Sequence, residues 1–184
     1  MGFDEQQIIN QCQKGNLEEF EKLYNFYFKK IYRFIYWRTS HKETAEDLTS
    51  QTFIKALEKI STFNQSLGTF SAWIFRIARN KTIDYYRRKR TEIDIDRVWE
   101  LSSREDIAQD FQTREKLKEA AHYLDKVKLE HRDIVIMRVW DGLSYKEISQ
   151  IVGKSEANCR MIFSRTIRTL RKEIVLLLLL IWLI

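Results

Sequence analysis

Proline is absent from this 184-residue chain, and glycine occurs only five times. Both residues punctuate regular backbone, so their scarcity argues against long irregular stretches and favours helix throughout. No window carries the alternating apolar pattern of a half-buried strand over a useful length. The chain is therefore expected to be all-α. Cysteine is equally scarce. Cys12 and Cys159 lie far apart, in different predicted units, which speaks against a disulfide framework and fits a reducing, cytoplasmic location. The histidines, His41, His122 and His131, have no metal-ligand spacing with one another or with the cysteines. There is no glycine-rich phosphate loop and no nucleophile with a base at useful spacing. No enzymatic activity, cofactor or metal is expected. The N-terminal residues are acidic and polar, and no signal peptide is expected.

What the chain does have is positive charge in two places. The formal net charge is +6. In 73–90 the bases Arg76, Arg79, Lys81, Arg87, Arg88, Lys89 and Arg90 face Asp84 alone, and in 154–173 Lys154, Arg160, Arg165, Arg168, Arg171 and Lys172 face Glu156 and Glu173. Between them, 92–110 is acidic, with Glu92, Asp94, Asp96, Glu100, Glu105, Asp106 and Asp110 against Arg97 and Arg104. Two separate basic segments are the electrostatic footprint of phosphate binding.

Periodicity places these segments on helices. A leader helix is expected over about Asp4 to Lys14. Phe20, Leu23, Tyr24, Tyr27, Ile31, Phe34 and Ile35 follow helical spacing and predict a helix from about Leu17 to Arg38. Ser40 to Glu43 resembles a capping box opening a helix with Ala45, Leu48, Thr52, Phe53, Ala56, Leu57 and Ile60 on one face. A loop from Phe63 to Thr69 precedes a third helix with Phe70, Trp73, Ile74, Ile77, Ala78 and Tyr85 on its apolar side. These close a first small domain over 1–90. Periodicity fades in an acidic linker, 91–112, and a second helical domain is expected over 113–173. Leu117, Ala121, Leu124 and Val127 mark one of its helices, and Ile134, Val135, Met137 and Trp140 another. After the Asp141-Gly142 turn, Ser144 and Glu147 form a second capping box. Gly153 supplies a tight turn, and Ser155 caps a last helix whose apolar side is Cys159, Ile162, Phe163, Ile167 and Leu170.

The stretch 143–171 thus reads as a helix-turn-helix, whose second helix lies in the major groove with its first residues at base edges. Those residues are Ser155, Glu156, Ala157, Asn158, Arg160 and Met161. Asn158 suits adenine and Arg160 suits guanine, while Arg165 and Arg168 lie further along and are expected at phosphate. The helix from Phe70 interleaves bases with aromatic residues behind a loop suited to an unstacked base, the pattern that holds single-stranded DNA. Two DNA-contacting modules on one short chain imply a protein that reads two separated stretches of DNA and joins them.

Three motifs, in order, resemble the extracytoplasmic-function (ECF) group of the bacterial sigma-70 family, over about residues 5–173. They are Ala45-Glu-Asp-Leu-Thr-Ser-Gln-Thr-Phe-Ile-Lys-Ala56, the run from Thr69 through Trp73 to Arg90, and Asp141-Gly-Leu-Ser-Tyr-Lys-Glu-Ile148 with the turn after it. The resemblance implies that the first domain is region 2 and the second region 4. It implies that Asp47, Leu48, Gln51, Thr52 and Phe53 dock on the clamp helices of the largest RNA polymerase subunit, with the flap of the second-largest subunit as a further contact. It implies that Asn64, Trp73, Arg76, Arg79, Asn80, Arg87 and Arg88 capture the −10 element and open the DNA. It also implies that the last helix reads the −35 element, that the linker threads toward the RNA exit path, and that an anti-sigma partner holds the protein inactive. The chain departs from the family pattern in three places. Ser50-Gln51 stands where Gln-Glu is usual, Val127 to Glu130 replaces a common Leu-Pro, and Glu156-Ala-Asn-Cys-Arg160 replaces the usual small-polar-basic start of the recognition helix.

Two other classes of function remain open from sequence. A helix-turn-helix regulator with an N-terminal sensing or partner-binding domain explains 141–173 but not the basic-aromatic helix. A membrane-tethered interaction protein rests on the apolar run Ile174 to Ile184, which is shorter than the roughly 20 residues a spanning helix needs. That run packs on the preceding helix or a partner, is the stub of a longer apolar segment, or dips into a membrane surface beside Arg168, Arg171 and Lys172. Any membrane association is expected to be indirect.

Overall fold

The computed structural model describes residues 3–92 and 127–182, with side chains described through Lys89 in the first segment and through Arg171 in the second. The chain divides into two compact units, Met1–Ser102 and Ser103–Ile184. All regular structure among the described residues is helical, as the composition predicts. The linker 91–112 from Ile93 onward, and the helix expected around Leu117, Ala121 and Leu124, lie outside the described residues.

In the first unit α1 spans Glu5–Gln13, α2 Phe20–Thr39, α3 Lys42–Lys59 and α4 Phe70–Glu92. Asp4 caps α1 by accepting from the Gln7 amide at 3.0 Å. A single 3₁₀ turn, Leu17–Glu19, leads into α2. Helices α2, α3 and α4 pack against one another, with α1 laid on α2. Their core is Leu23, Ile31, Phe34 and Ile35 of α2, Ala45, Leu48, Phe53 and Ala56 of α3, and Phe70, Ile74, Phe75 and Ala78 of α4, all buried. The Tyr27 hydroxyl donates to Glu5, fastening α1 to α2. Gln13 donates from Nε2 to the carbonyls of Ile60 at 3.1 Å and Phe63 at 2.7 Å, so α1 also fixes the chain where α3 gives way to the loop.

The α2–α3 junction differs from the capping box expected at Ser40 and Glu43. Ser40 instead terminates α2. It sits in the left-handed region at φ 52°, and its amide donates to the Tyr36 carbonyl at 2.8 Å. The cap of α3 falls one residue later, on His41, whose Nδ1 accepts from the Thr44 amide at 3.3 Å. A residue committed to closing one helix has the wrong φ for the extended cap position of the next.

In the second unit α5 spans Leu129–Val139, α6 Tyr145–Val152 and α7 Glu156–Trp182. Ile134, Val135, Ile136 and Met137 of α5, Ile148 and Ile151 of α6, and Cys159 and Ile162 of α7 form its buried centre. Both halves of the second capping box are present. The Glu147 amide donates to Ser144 Oγ at 3.2 Å, and the Ser144 amide to Glu147 Oε2 at 2.8 Å. Gly153 closes α6 at φ 73°, and the Asn158 amide donates to Ser155 Oγ at 3.2 Å, capping α7. The backbone of the apolar run continues α7 to Trp182 rather than folding back on it. Among the described residues no helix is long and apolar enough to cross a membrane.

Candidate nucleic-acid and partner-docking surfaces

Helix α4 is two-faced along its whole described length. Phe70, Ile74, Phe75, Ala78 and Thr82 are buried. On the other side Trp73, Arg76, Asn80, Ile83 and Arg87 recur at alternating steps of three and four, the spacing that stacks side chains in one stripe. Arg76, Asn80, Ile83 and Arg87 are exposed, and so is Arg88 beside the stripe. Arg79 is half-buried at the stripe's edge. Arg87 pairs with Asp84 at 3.1 Å, a bond between exposed groups that a phosphate readily replaces.

Trp73 joins core and surface. It is partly buried, with Phe63 and Phe70 each at 5.4 Å between ring centroids. Packing holds the indole in place while part of it remains accessible. The loop in front of it is built rather than slack. Asn64 Oδ1 accepts from the Ser66 amide at 2.9 Å, a one-turn 3₁₀ helix runs Gln65–Leu67, and Thr69 Oγ1 accepts from the Ala72 amide at 3.1 Å to cap α4. Asn64 is exposed but commits its side-chain oxygen to this turn. Leu67 protrudes, 75% exposed.

On α3 the five residues singled out from sequence do not share one face. Leu48, Thr52 and Phe53 are buried, Phe53 against Tyr24 at 4.7 Å and Phe20 at 6.5 Å. Thr52 donates to the Leu48 carbonyl at 2.7 Å. Asp47 is exposed and Gln51 half-exposed, joined by Gln51 Nε2 donating to Asp47 Oδ2 at 2.9 Å. One turn on, Ile54 is 58% exposed, an apolar side chain that periodicity alone did not mark. The outer face of α3 is therefore acidic and amide, with Ile54 at its centre.

In the second unit Ser155, Glu156, Ala157, Arg160, Met161, Arg165 and Arg168 are exposed along α7, and Asn158 is partly so. Ser155 and Glu156 stand at the helix start. Glu156 lies in the first turn, where a carboxylate suits the N-terminal dipole. Lys154, in the turn, pairs with Glu130 of α5 at 3.3 Å and fixes the turn on the unit's core. Arg160 lies over the ring of Tyr145, 4.9 Å from its centroid. Sequence reading missed Tyr145 and Gln13, because each acts through contacts distant in sequence, and Ile54, an apolar side chain left exposed on the outer side of α3. Among the described residues no group of His, Cys, Asp and Glu is placed to hold a metal ion.

Two small helical units, each with a helix that turns cationic side chains outward, define an all-helical protein with two separate basic faces. Comparison with known proteins narrows the class. Residues 23–92 match sigma-70 region 2 and residues 117–170 match sigma-70 region 4. The ECF RNA polymerase sigma factor BldN of Streptomyces coelicolor is 34% identical over 170 residues, covering 90% of this chain and 64% of that protein. The RNA polymerase sigma factor YlaC of Bacillus subtilis is 30% identical over 160 residues, covering 85% of this chain and 92% of that one. The same fold occurs in CnrH, solved with the cytosolic domain of CnrY, at TM-score 0.70 and 20% identity over 91% of this chain and 94% of that one. It occurs again in the sigma factor RpoE of Bartonella quintana, solved with the anti-sigma factor NepR, at TM-score 0.67 and 21% identity over 84% and 96% of the two chains. The chain belongs to the sigma-70 family, in its extracytoplasmic-function group. It is a sigma factor, a subunit that directs RNA polymerase to promoters, and not an enzyme.

Proposed function

We propose that the two units divide promoter recognition between them. Residues 1–90 act as region 2 and 113–173 as region 4, with 91–112 as the linker between them and 174–184 as an appended apolar tail. The outer face of α3, through Asp47 and Gln51, docks on the clamp helices of the largest polymerase subunit, while Leu48, Thr52 and Phe53 hold that face in shape. The flap of the second-largest subunit receives the second unit. The loop from Asn64 and the stripe of Trp73, Arg76, Asn80 and Arg87, with Arg79 and Arg88 at its margins, take the non-template strand of the −10 element. Stacking on Trp73 replaces base stacking lost on opening, and the arginines neutralise phosphate. In the second unit α6 and α7 form a helix-turn-helix. Its residues Ser155 to Met161 meet base edges of the −35 element, and Arg165 and Arg168 meet phosphate.

The single observation that carries this reading is the α4 stripe. A helix whose inner side is wholly committed to the core presents an indole, an amide and cations in one row outward. A regulator that reads only duplex DNA through its second unit has no use for that row. An anti-sigma factor binds a protein of the same fold, and a partner of that kind, covering these surfaces in the cytoplasm until a signal arrives, fits this chain as well. The test is transcription from mapped promoters with purified chain and core polymerase. Initiation at start sites with shared upstream elements, and preference for forked over fully duplex DNA, are expected. Promoter-specific binding with no measurable affinity for core polymerase overturns the reading.

A further inference from the structure

Tyr145 opens α6, and side chains of α5 and α7 meet at its ring. The guanidinium of Arg138, from the end of α5, and that of Arg160, from the first turns of α7, each lie 4.9 Å from the ring centroid. Phe163 of α7 meets the ring edge-on at 5.9 Å. Arg138 is fixed a second time, donating from Nη1 to the Leu143 carbonyl at 3.0 Å. Arg160 is not: it is exposed, and among the described residues no hydrogen bond or ion pair engages it. A guanidinium laid against an aromatic face keeps its N–H donors in its own plane, free at the rim. A long exposed side chain without such support samples many rotamers, and freezing them opposes binding. Two cations over one ring also raise the local positive potential, which an electronegative base edge relieves.

We infer that Tyr145 is a positioning and specificity-determining residue. Its ring holds Arg160 in the stacked pose from which the guanidinium reads one base pair, guanine through its paired O6 and N7 acceptors in the major groove. Arg138 holds the same ring from α5, so the pose is tied to the body of the unit rather than to α7 alone. The inference rests on the proposed reading of the −35 element by α7.

The test is selection by core polymerase carrying the full chain from a promoter pool randomised across the −35 positions. Arg160→Ala is expected to flatten base preference at one position by about tenfold. Tyr145→Leu keeps an apolar side chain against Phe163 but removes the π face, and it flattens the same position by a similar factor. Tyr145→Phe keeps the ring and the preference, whereas Arg160→Lys, without the planar fork, loses the preference. The double variant Tyr145→Leu with Arg160→Ala is no flatter than Arg160→Ala alone. Melting curves accompany each variant, because a purely structural tyrosine lowers Tm and weakens every sequence alike. Tyr145→Leu that weakens binding uniformly, with the position-specific preference intact, overturns the inference, as does selection that Arg160→Ala leaves untouched. Failure of the wider reading looks different: the wild-type complex then selects no sequence in the window, and both fall together.

Discussion

Lys81 of α4 reaches across to Gln51 of α3, its Nζ donating to Gln51 Oε1 at 3.4 Å. The same amide donates on its other side to Asp47 Oδ2 at 2.9 Å. A single side chain thus links the acidic outer face of α3 to the helix that carries the basic stripe. It also explains why Lys81, in the most basic run of the chain, does not extend that stripe: it is half-buried, anchoring α4 on α3. Gln51 occupies one of the positions where the chain departs from the usual family residues, and here an amide serves as donor and acceptor at once.

Separation of docking from folding follows from this face. Asp47→Ala and Gln51→Ala are expected to weaken binding to core polymerase by about tenfold, ~1.4 kcal/mol; Tm stays close to wild type in Asp47→Ala, whose side chain is exposed, and falls modestly in Gln51→Ala, which also releases Lys81. Leu48→Ala and Phe53→Ala remove buried side chains and cost about 2–5 kcal/mol of folding stability instead. Titration of labelled variants with core polymerase, alongside thermal melts, distinguishes the two groups. Asp47→Ala binding as tightly as wild type rules out docking by this face.

The cap residues show what was legible in sequence and what was not. Ser144, Glu147, Gly153 and Ser155 read correctly because each acts within one turn of its own position, where local chemistry decides. Ser40 and Glu43 carry the same signature, yet Ser40 is claimed by the end of α2, and a pattern match cannot weigh two helices competing for one residue. The buried faces followed from periodicity in outline, although Tyr24, at an apolar position of α2, is 38% exposed and Trp73 of α4 is only partly buried. The docking motif on α3 did not divide correctly, because the residues that mark the family, Leu48, Thr52 and Phe53 among them, mix the helix's inner side with its outer one. The Tyr145 ring, with partners from α5 and α7, belongs to tertiary structure and leaves no trace in spacing.

Capping in the second unit predicts a stability change of known size. Ser144→Ala removes one half of a reciprocal pair and is expected to cost about 1 kcal/mol. Gly153→Ala is expected to cost about 1–2 kcal/mol from the left-handed backbone alone, since no atom lies within 4 Å of where its Cβ would sit. Gly153→Asn, which tolerates that conformation, costs less. Chemical denaturation checks the order, and Gly153→Ala at wild-type stability contradicts the backbone account.

Burial raises both cysteine thiols above their ordinary value of 9.0. At Cys12 the Glu19 carboxylate adds to the effect. At Cys159 Lys154 opposes it and Glu130 reinforces it. The folded state therefore keeps these protons longer than the unfolded chain does. Their stabilising contribution is complete below the unfolded value and is lost as pH climbs from 9.0 toward the raised folded values. Denaturation midpoints are expected to fall across this window, and the fall shrinks in a Cys12→Ala/Cys159→Ala variant. Native thiols are also expected to resist iodoacetamide at neutral pH and to react once unfolded. Fast native labelling contradicts their burial.

The α4 stripe makes a prediction about salt as well as affinity. Each cation that neutralises a phosphate on a single strand contributes about 0.7 to the slope of log affinity against log salt. Arg76→Ala and Arg87→Ala are each expected to weaken forked promoter DNA and to lower that slope by about this amount in the polymerase complex. The Arg87–Asp84 pair lies between exposed side chains, so the folding stability of Arg87→Ala is expected to stay near wild type. Trp73→Ala behaves differently. Loss of a stacked base costs about 1–3 kcal/mol of binding without changing the slope, and lost packing on Phe63 and Phe70 lowers Tm in parallel. Trp73→Phe keeps a π face and recovers part of both. Anisotropy on forked and fully duplex probes over a salt series measures all three terms. An unchanged slope in Arg76→Ala and Arg87→Ala together, or equal losses on both probes for Trp73→Ala, removes the opened strand from this face.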